Sequence, residues 1–351
     1  MKTYNIFTNE SDSLPAGKAD FLLAASVTKT CDIDGITQAG IPGLISYTPT
    51  LDAEFITTQK LFSMPEIAET PSGVPTPALI TRAIQNLNEF ATIETLDVGL
   101  EISPKQTNLH TFGINPSNSI ATGANIDAEE LFAKGMAFGR SYEMKGSYII
   151  LGESTPSGTT TATASALALG YDVSDDFSSS FLNVPSDVRN QTVNSALALI
   201  NDDMTNFEKL SLVSDNMLIF CAGFLLEASR RFHVVLAGGT QMAACLLIAD
   251  KLREDVLMRL KSDNITIATT AWVANDKSSN IKHILEQLSY TPHAIYTEFS
   301  FAQAEIPVLK KYDEGEAKEG VGAGAALAYA NTNGLTNKEV LEAVELIMYM
   351  M

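Results

Sequence analysis

The sequence predicts an α/β protein: a mainly parallel, Rossmann-like sheet with helices on both faces, plus a small helical domain from the chain ends. Three observations predict it. Short continuous apolar runs at Phe21–Ser26, Tyr148–Leu151 and Phe232–Leu236 have the pattern of parallel strands buried on both faces. Segments with helical spacing alternate with them across most of the chain. Two strand ends run into turns rich in glycine and hydroxyls, each of which opens a helix. Residues 20–302 are expected to form the large nucleotide-binding domain. Residues 1–19 and 303–351 are expected to form a small, mostly helical domain packed on it.

The 351 residues suffice for one such domain and an appendage, and the 45% hydrophobic content is that of a folded globular chain. A net charge of −19 excludes an extended nucleic-acid surface, which needs clustered Lys and Arg. Small anions remain open as ligands wherever backbone amides hold them locally. Cys31, Cys221 and Cys245 lie far apart, the last two in apolar runs, and read as buried thiols of a reducing compartment. The N-terminus lacks the apolar core of a signal peptide, and no run approaches the ~18 apolar residues of a membrane span. A cytoplasmic location without membrane contact is the expectation.

Element by element, Phe21–Ser26 is the first strand, and an irregular Gly-, Pro- and Thr-rich stretch follows from Thr28 to Thr50. Leu51–Phe62 has helical character. The turn-rich Thr70–Pro77 leads into a helix at Ala78–Phe90, with Pro77 well placed at its start. Thr95–Ile102 reads as a strand. Asp127 and Glu130 make a capping-box-like start for a helix from Ala128 to about Arg140. After the strand Tyr148–Leu151 and its turn, Asp172–Ser180 reads as an acidic surface loop. Helices are expected at Asp187–Ile200, Met217–Arg231 and Gln241–Leu260, and strands at Phe232–Leu236, Ile265–Trp272 and His293–Phe301. A last helix begins with the capping box Thr336…Glu339 and carries Val340, Val344, Ile347 and Met351 on one face.

The turn GESTPSGTTTA, Gly152–Ala162, is the chemically most informative stretch. Strand, glycine- and hydroxyl-rich turn, then helix is a layout that aims unpaired N–H groups and a positive helix end at an anion. Gly158 permits close approach, and Ser157, Thr159, Thr160 and Thr161 add hydroxyls. The turn is neither a Walker loop nor G-x-G-x-x-G, and an ordinary βα turn with good caps is the competing reading. AGGT, Ala237–Thr240, is a second such turn and brings in Gly238 and Gly239. The four histidines are not spaced for a metal, and no G-x-S-x-G elbow is present. His233 reads as a satisfied core residue, and His110 carries only weak indications of a site. Carboxylates remain: Glu153 at a strand's carboxyl end, and Glu319 directly before a glycine-rich run that includes Gly320 and Gly322. For Glu319 the competing reading is an exposed carboxylate favoured by a helix dipole.

Taken in order, these motifs make the chain resemble the nicotinate-nucleotide:dimethylbenzimidazole phosphoribosyltransferases, and most closely their divergent, archaeal-type branch. GESTPSGTTTA occupies the place of the family's G-E-x-G-I-G-N-T-T-x-A. FCAGFLLEASRRFHVVLAGG, Phe220–Gly239, matches an apolar helix leading into V-V-L-D-G-F. KEGVGAGAA, Lys318–Ala326, matches G-E-G-x-G-A, and Pro116–Ala137 resembles G-x-A-M-T-x-E-E-A. TPSGVPTPALITRA, Thr70–Ala83, is typical of the divergent branch. The similarity covers roughly residues 20 to 330. There are departures: Ala237 stands where the family has Asp, VSDNM (Val213–Met217) replaces V-G-G-x-E, and an N-terminal D-H-G element has no clear counterpart.

The resemblance implies phosphoribosyl transfer from nicotinate mononucleotide to dimethylbenzimidazole or a related base, within cobamide lower-ligand synthesis. It implies a homodimer and no metal or redox cofactor. Glu319 falls on the segment bearing the family's catalytic Glu. The substrate-binding set would comprise Glu153, Ser157–Thr161, Gly238, Gly239, Gly320 and Gly322, with Ser46 and Glu54 standing for the base pocket's Ser and Gln. Two alternatives stay open: a nucleotide-binding homologue without catalysis, and the same reaction with a purine acceptor.

Overall fold

A computed structural model describes residues 1–351 and places eight strands in one sheet. They are β1 (Lys2–Asn5), β2 (Ala19–Ala25), β3 (Thr92–Asp97), β4 (Leu109–Thr111), β5 (Tyr148–Ser154), β6 (Val234–Ala237), β7 (Ile265–Thr270) and β8 (His293–Glu298). Their spatial order is β1-β8-β7-β6-β5-β2-β3-β4. All neighbours are parallel except β1, which runs antiparallel along β8. From β2 the chain builds outward through β3 and β4, then returns to lay β5 on the other side of β2. The sheet therefore has its topological switch point between β2 and β5, where open α/β sheets form a crevice at their carboxyl ends.

Thirteen helices connect and cover the strands. The first seven are α1 (Thr48–Thr58), α2 (Ala78–Leu87), α3 (Ala128–Ser141), α4 (Gly158–Ala168), α5 (Ser186–Leu197), α6 (Asn206–Val213) and α7 (Asn216–Ala228). The remainder are α8 (Thr240–Asp255), α9 (Ala271–Ala274), α10 (Ile281–Glu286), α11 (Lys311–Glu314), α12 (Ala323–Thr332) and α13 (Asn337–Met350). Strand side chains alternate between the faces, so each face has its own core. Leu22 and Ala24 of β2 join Ile149, Leu151 and Leu236 under α3, α7 and α8. Phe21 and Leu23 join Ile150, Val235 and Ala268 under α2, α12 and α13. Burial on both faces is what the continuous apolar runs require. No helix is long and apolar enough to cross a membrane.

Several boundaries differ from those read in the sequence. Residues 2–5 form a strand where a helical chain end was expected; with one face partly exposed at the sheet's edge, β1 has no apolar run to betray it. The strand expected at Thr95–Ile102 ends at Asp97, because that carboxylate accepts from the N–H groups of Gly99 (3.1 Å) and Leu100 (2.9 Å) and turns the chain. The helix expected to reach Phe62 stops at Thr58, with Gln59 left-handed at its cap. α13 has the expected capping box and buries Val340, Val344 and Ile347, but Met351 lies beyond the helix end and is exposed.

The tightest helix pair is α3 on α7, and glycines make it possible. A Cβ on Gly135 would overlap the carbonyl oxygen of Phe220, and one on Gly223 would overlap that of Phe132. Backbone therefore meets backbone without side chains between. Gly223→Ala should destabilise the protein by about 1–3 kcal/mol through overpacking. Denaturant titration reads the loss; an unchanged midpoint would mean that the helices can separate without cost.

Candidate active site

The cleft lies above the carboxyl ends of β2, β5, β6 and β7, at the switch point, and encloses about 900 Å³ including its open mouth. Several separate pieces of chain build it. The turn after β5 supplies Glu153 to Thr159; the turn after β6 supplies Gly239, Thr240 and Gln241; Thr70–Pro77 and α1 supply Thr76 and Asp52; Ala317–Val321 closes the mouth.

That last segment is tied down at three points. Val321 N–H donates to the Glu153 carbonyl (2.9 Å), Thr270 Oγ1 donates to the Lys318 carbonyl (2.6 Å), and Thr81 Oγ1 donates to the Val321 carbonyl (2.8 Å). Gly322 (φ +71°) crosses directly over Gly152 and the Phe21 ring, where a Cβ would lie 2.7 Å from the ring. Val321 itself has φ +51°, costly for a β-branched residue. Ser157 (φ +64°) and Ala317 (φ +51°) share this left-handed conformation, and all three line the cleft. Such strain persists only where the surroundings impose it.

Two glutamates face the cleft with different environments. Glu319 accepts four hydrogen bonds, from the N–H groups of Gly324 (3.0 Å), Gly320 (3.2 Å) and Thr270 (3.0 Å) and from Thr269 Oγ1 (3.2 Å). Burial outweighs these donors and pushes its carboxyl up to about 7. Glu153 is buried and accepts one hydrogen bond, from Thr155 N–H at 3.1 Å. Burial, then the charges of Glu319 and Asp215, push it up to about 8. A third carboxylate, Asp52, accepts from Thr76 Oγ1 (2.8 Å) and Ser154 Oγ (2.7 Å); burial raises it to about 6 against those bonds. Lys318, itself buried, pairs with Asp276 at 2.9 Å.

The structure brings together Glu153, Ser157, Gly158, Thr159, Gly239, Glu319 and Gly320 around one cleft. Other residues named from the sequence lie elsewhere. Thr160 and Thr161 are inside α4, and the Thr161 hydroxyl donates to the Asp215 carboxylate that caps α7. Gly238 packs on Met242, and Gly322 lies beneath the segment it bends. Glu54 is wholly buried away from the cleft, holding the N–H groups of Phe62 (2.7 Å), Ser63 (3.0 Å) and Lys105 (2.9 Å). Ser46 lies outside it, on the side of Glu101. Asp52, two residues before Glu54, takes the cleft position instead.

The segment expected as a surface loop, Asp172–Ser180, buries Phe177, Ser178 and Ser179 and lines the cleft with its serines. His110 pairs with Glu94 (2.7 Å) at the sheet edge, and His233, just before β6, bonds Thr266 (2.9 Å). Neither reaches the cleft.

A mainly parallel sheet whose switch point opens a crevice at the strands' carboxyl ends places the chain among the open α/β folds, and solved structures share that fold. The nicotinate-nucleotide–dimethylbenzimidazole phosphoribosyltransferase of Thermus thermophilus superposes with TM-score 0.59 at 18% identity, over 96% of this chain and 84% of that one. A second structure, CobT from the same organism, gives 0.58 at 18%, over 96% and 85%. At that identity the likeness establishes the fold. No family model matches the chain. In sequence it is 35% identical over 345 residues to a UPF0284 protein of Sulfurisphaera tokodaii, covering 97% of this chain and 96% of the relative. It is 35% identical over 327 residues to one of Methanocaldococcus jannaschii, covering 90% and 91%. The chain belongs to the UPF0284 family.

The raised carboxyls set a pH dependence. Glu153 and Glu319 bind protons more tightly folded than unfolded, where a Glu titrates at ~4.3. Their contribution is therefore most favourable below that value and is lost as pH rises toward 8. Glu153→Gln should flatten this fall and raise Tm near pH 8 by roughly 2 °C or more. A variant less stable than wild type at that pH would show that the Glu153 charge is compensated in the folded protein.

Proposed function

We propose that the chain transfers the phosphoribosyl group of nicotinate mononucleotide to dimethylbenzimidazole or a related aromatic base. The products would be nicotinate and an α-ribazole-type phosphate, the activated lower ligand of a cobamide. One observation carries the reading: Glu319, a carboxyl poised near neutrality, faces the same cleft as the unpaired amides of the turn opening α4. The fold shared with CobT from Thermus thermophilus supports it, as does the match of Lys318–Ala326 to the family's catalytic segment.

In this reading the phosphate lies against Ser157–Thr159, where the helix end favours negative charge. Nicotinate leaves C1′ as a neutral ring, since its nitrogen carries the positive charge in the nucleotide, and no acid is needed. One acceptor nitrogen forms the new bond to C1′ from the opposite face. The electron pair of the broken bond returns to the nicotinate nitrogen. The proton on the acceptor's other nitrogen passes to Glu319. Its four hydrogen bonds fix the carboxylate in position, so much of the acceleration would come from orientation. The homodimer implied by the resemblance belongs to the same reading; α13 leaves Leu346, Tyr349 and Met350 exposed.

A second reading, a purine acceptor, draws support from the lining. The acceptor side presents Thr37, Thr48, Thr76 and Asp52 and no aromatic side chain, a surface suited to polar ring substituents.

Glu319→Gln should keep nucleotide affinity and lower kcat by roughly 10²–10⁴-fold. Because the base must be unprotonated, wild-type turnover should rise with pH through about 7 and level off above it. The variant's residual rate should lack that rise. Nicotinate release, followed against pH for both proteins, checks this. Full turnover in Glu319→Gln with a dead Glu153→Gln would exchange the two roles.

A further inference from the structure

Two helices, not one, aim their N-termini into this cleft. α8 starts at Thr240 with no side-chain cap, and α4 starts at Gly158 likewise uncapped by a side chain. The N–H groups of Thr159, Gly239, Thr240 and Gln241 find no acceptor in the chain. Between the two helix ends lies the side chain of Gln241. Its amide rests on the Cα of Gly158, in the space that a Cβ there would occupy. Gln241 is only 6% exposed, yet its Nε2 is buried with no hydrogen-bond partner. A buried donor without a partner is rare and costly, and at a ligand cleft the missing acceptor is most simply the ligand.

The surroundings fix the sign of that acceptor. Thr240 Oγ1 is engaged with Ser178, accepting its N–H at 3.1 Å. Arg189, buried behind α4, donates to the Phe177 carbonyl (2.8 Å) and to Thr163 Oγ1 (2.7 Å), and forms no ion pair with a carboxylate. Asp175 is the carboxylate that acts on this guanidinium, from beyond ion-pair distance, and Arg189 leaves positive potential beside this corner of the cleft. Glu153 and Glu319 stand beside the start of α8: Glu153 Cγ lies 3.9 Å from where a Cβ on Gly238 would be, and Glu319 Cβ lies 3.6 Å from where one on Gly239 would be. Burial raises both carboxyls and so favours their neutral forms there.

We infer that Gln241 is a phosphate-binding residue: its amide and the joined N-termini of α4 and α8 hold a phosphate monoester dianion, with Gln241 Nε2 donating to a phosphate oxygen. This also gives Gly158 its reason. The glycine makes room for the Gln241 amide, so the two residues form one device although they lie on different helices.

The inference rests on the phosphoribosyl reading for the name of the ester but not for the phosphate itself. Binding is therefore measured by calorimetry with three probes: nicotinate mononucleotide, its dephosphorylated riboside and inorganic phosphate. Gln241→Met keeps length and flexibility and removes the donor; Gln241→Glu keeps shape and adds a negative charge. Thermal melting reports whether each variant folds, and either one that does suffices. Gln241→Met should bind the nucleotide and inorganic phosphate roughly 10–100-fold more weakly while riboside affinity stays unchanged, and Gln241→Glu should lose more. If the variants keep wild-type affinity for both phosphate-bearing probes, or lose riboside to the same degree, the assignment is overturned. Wild type that binds none of the phosphate probes overturns it as well. Wild type that binds inorganic phosphate through Gln241 yet never releases nicotinate would uphold the assignment and sink the phosphoribosyl reading.

Discussion

The whole site depends on how Lys318–Gly322 is fastened across the ends of β5 and β7. Val321 N–H on the Glu153 carbonyl and Thr270 Oγ1 on the Lys318 carbonyl fix this strip to two strands separated by β6. Gly152 and Gly322 then meet back to back, because neither carries a Cβ to hold the chains apart. Only with the strip in this place do Glu319 and Glu153 share a cleft, where the Glu319 charge adds to burial in raising the proton affinity of Glu153. The positive φ at Val321 fits a segment whose course is set by its ties and not by local preference.

Around that strip the fold acts as a rigid mount. β2 and β5 sit at the switch point with a core on each face, so the crevice at their ends cannot close by sheet packing. Uncapped helix ends and the carboxylates of Asp52, Glu153 and Glu319 divide the lining between them, with Glu153 and Glu319 close beside the start of α8. In the proposed reading an acidic protein gains a place for an anion without clustered lysines, since backbone amides carry no net charge to be paired elsewhere. The same division suits a reaction in which a phosphate must be anchored while a proton is accepted a short way off.

What the sequence disclosed follows the range of the signal. Strands buried on both faces and the turn after β5 are written in consecutive residues, and Gly152–Ala162 is legible as a strand end, a glycine- and hydroxyl-rich turn and a helix start. Glu319 stood out through its glycine-rich neighbours. Glu54 was expected at the cleft and misses it by a rotation: Asp52 and Glu54 are two residues apart on α1, hence about 200° apart around the helix. One meets the cleft and the other the loops at Phe62 and Lys105. Nothing local tells which. Gln241 against Gly158, and Gly135 against Phe220, are contacts between distant segments and leave no periodic trace. The strand β1 escaped notice because an edge strand of four residues carries too short a pattern.

In the proposed reaction C1′ undergoes displacement while a carboxylate takes the acceptor's proton. The configuration of the product tests it most directly. Incubation with nicotinate mononucleotide and dimethylbenzimidazole or adenine, followed by proton NMR of the anomeric position, should show an α-linked nucleotide forming in step with free nicotinate. A β-linked product, or nicotinate released to water with no base attached, would contradict it.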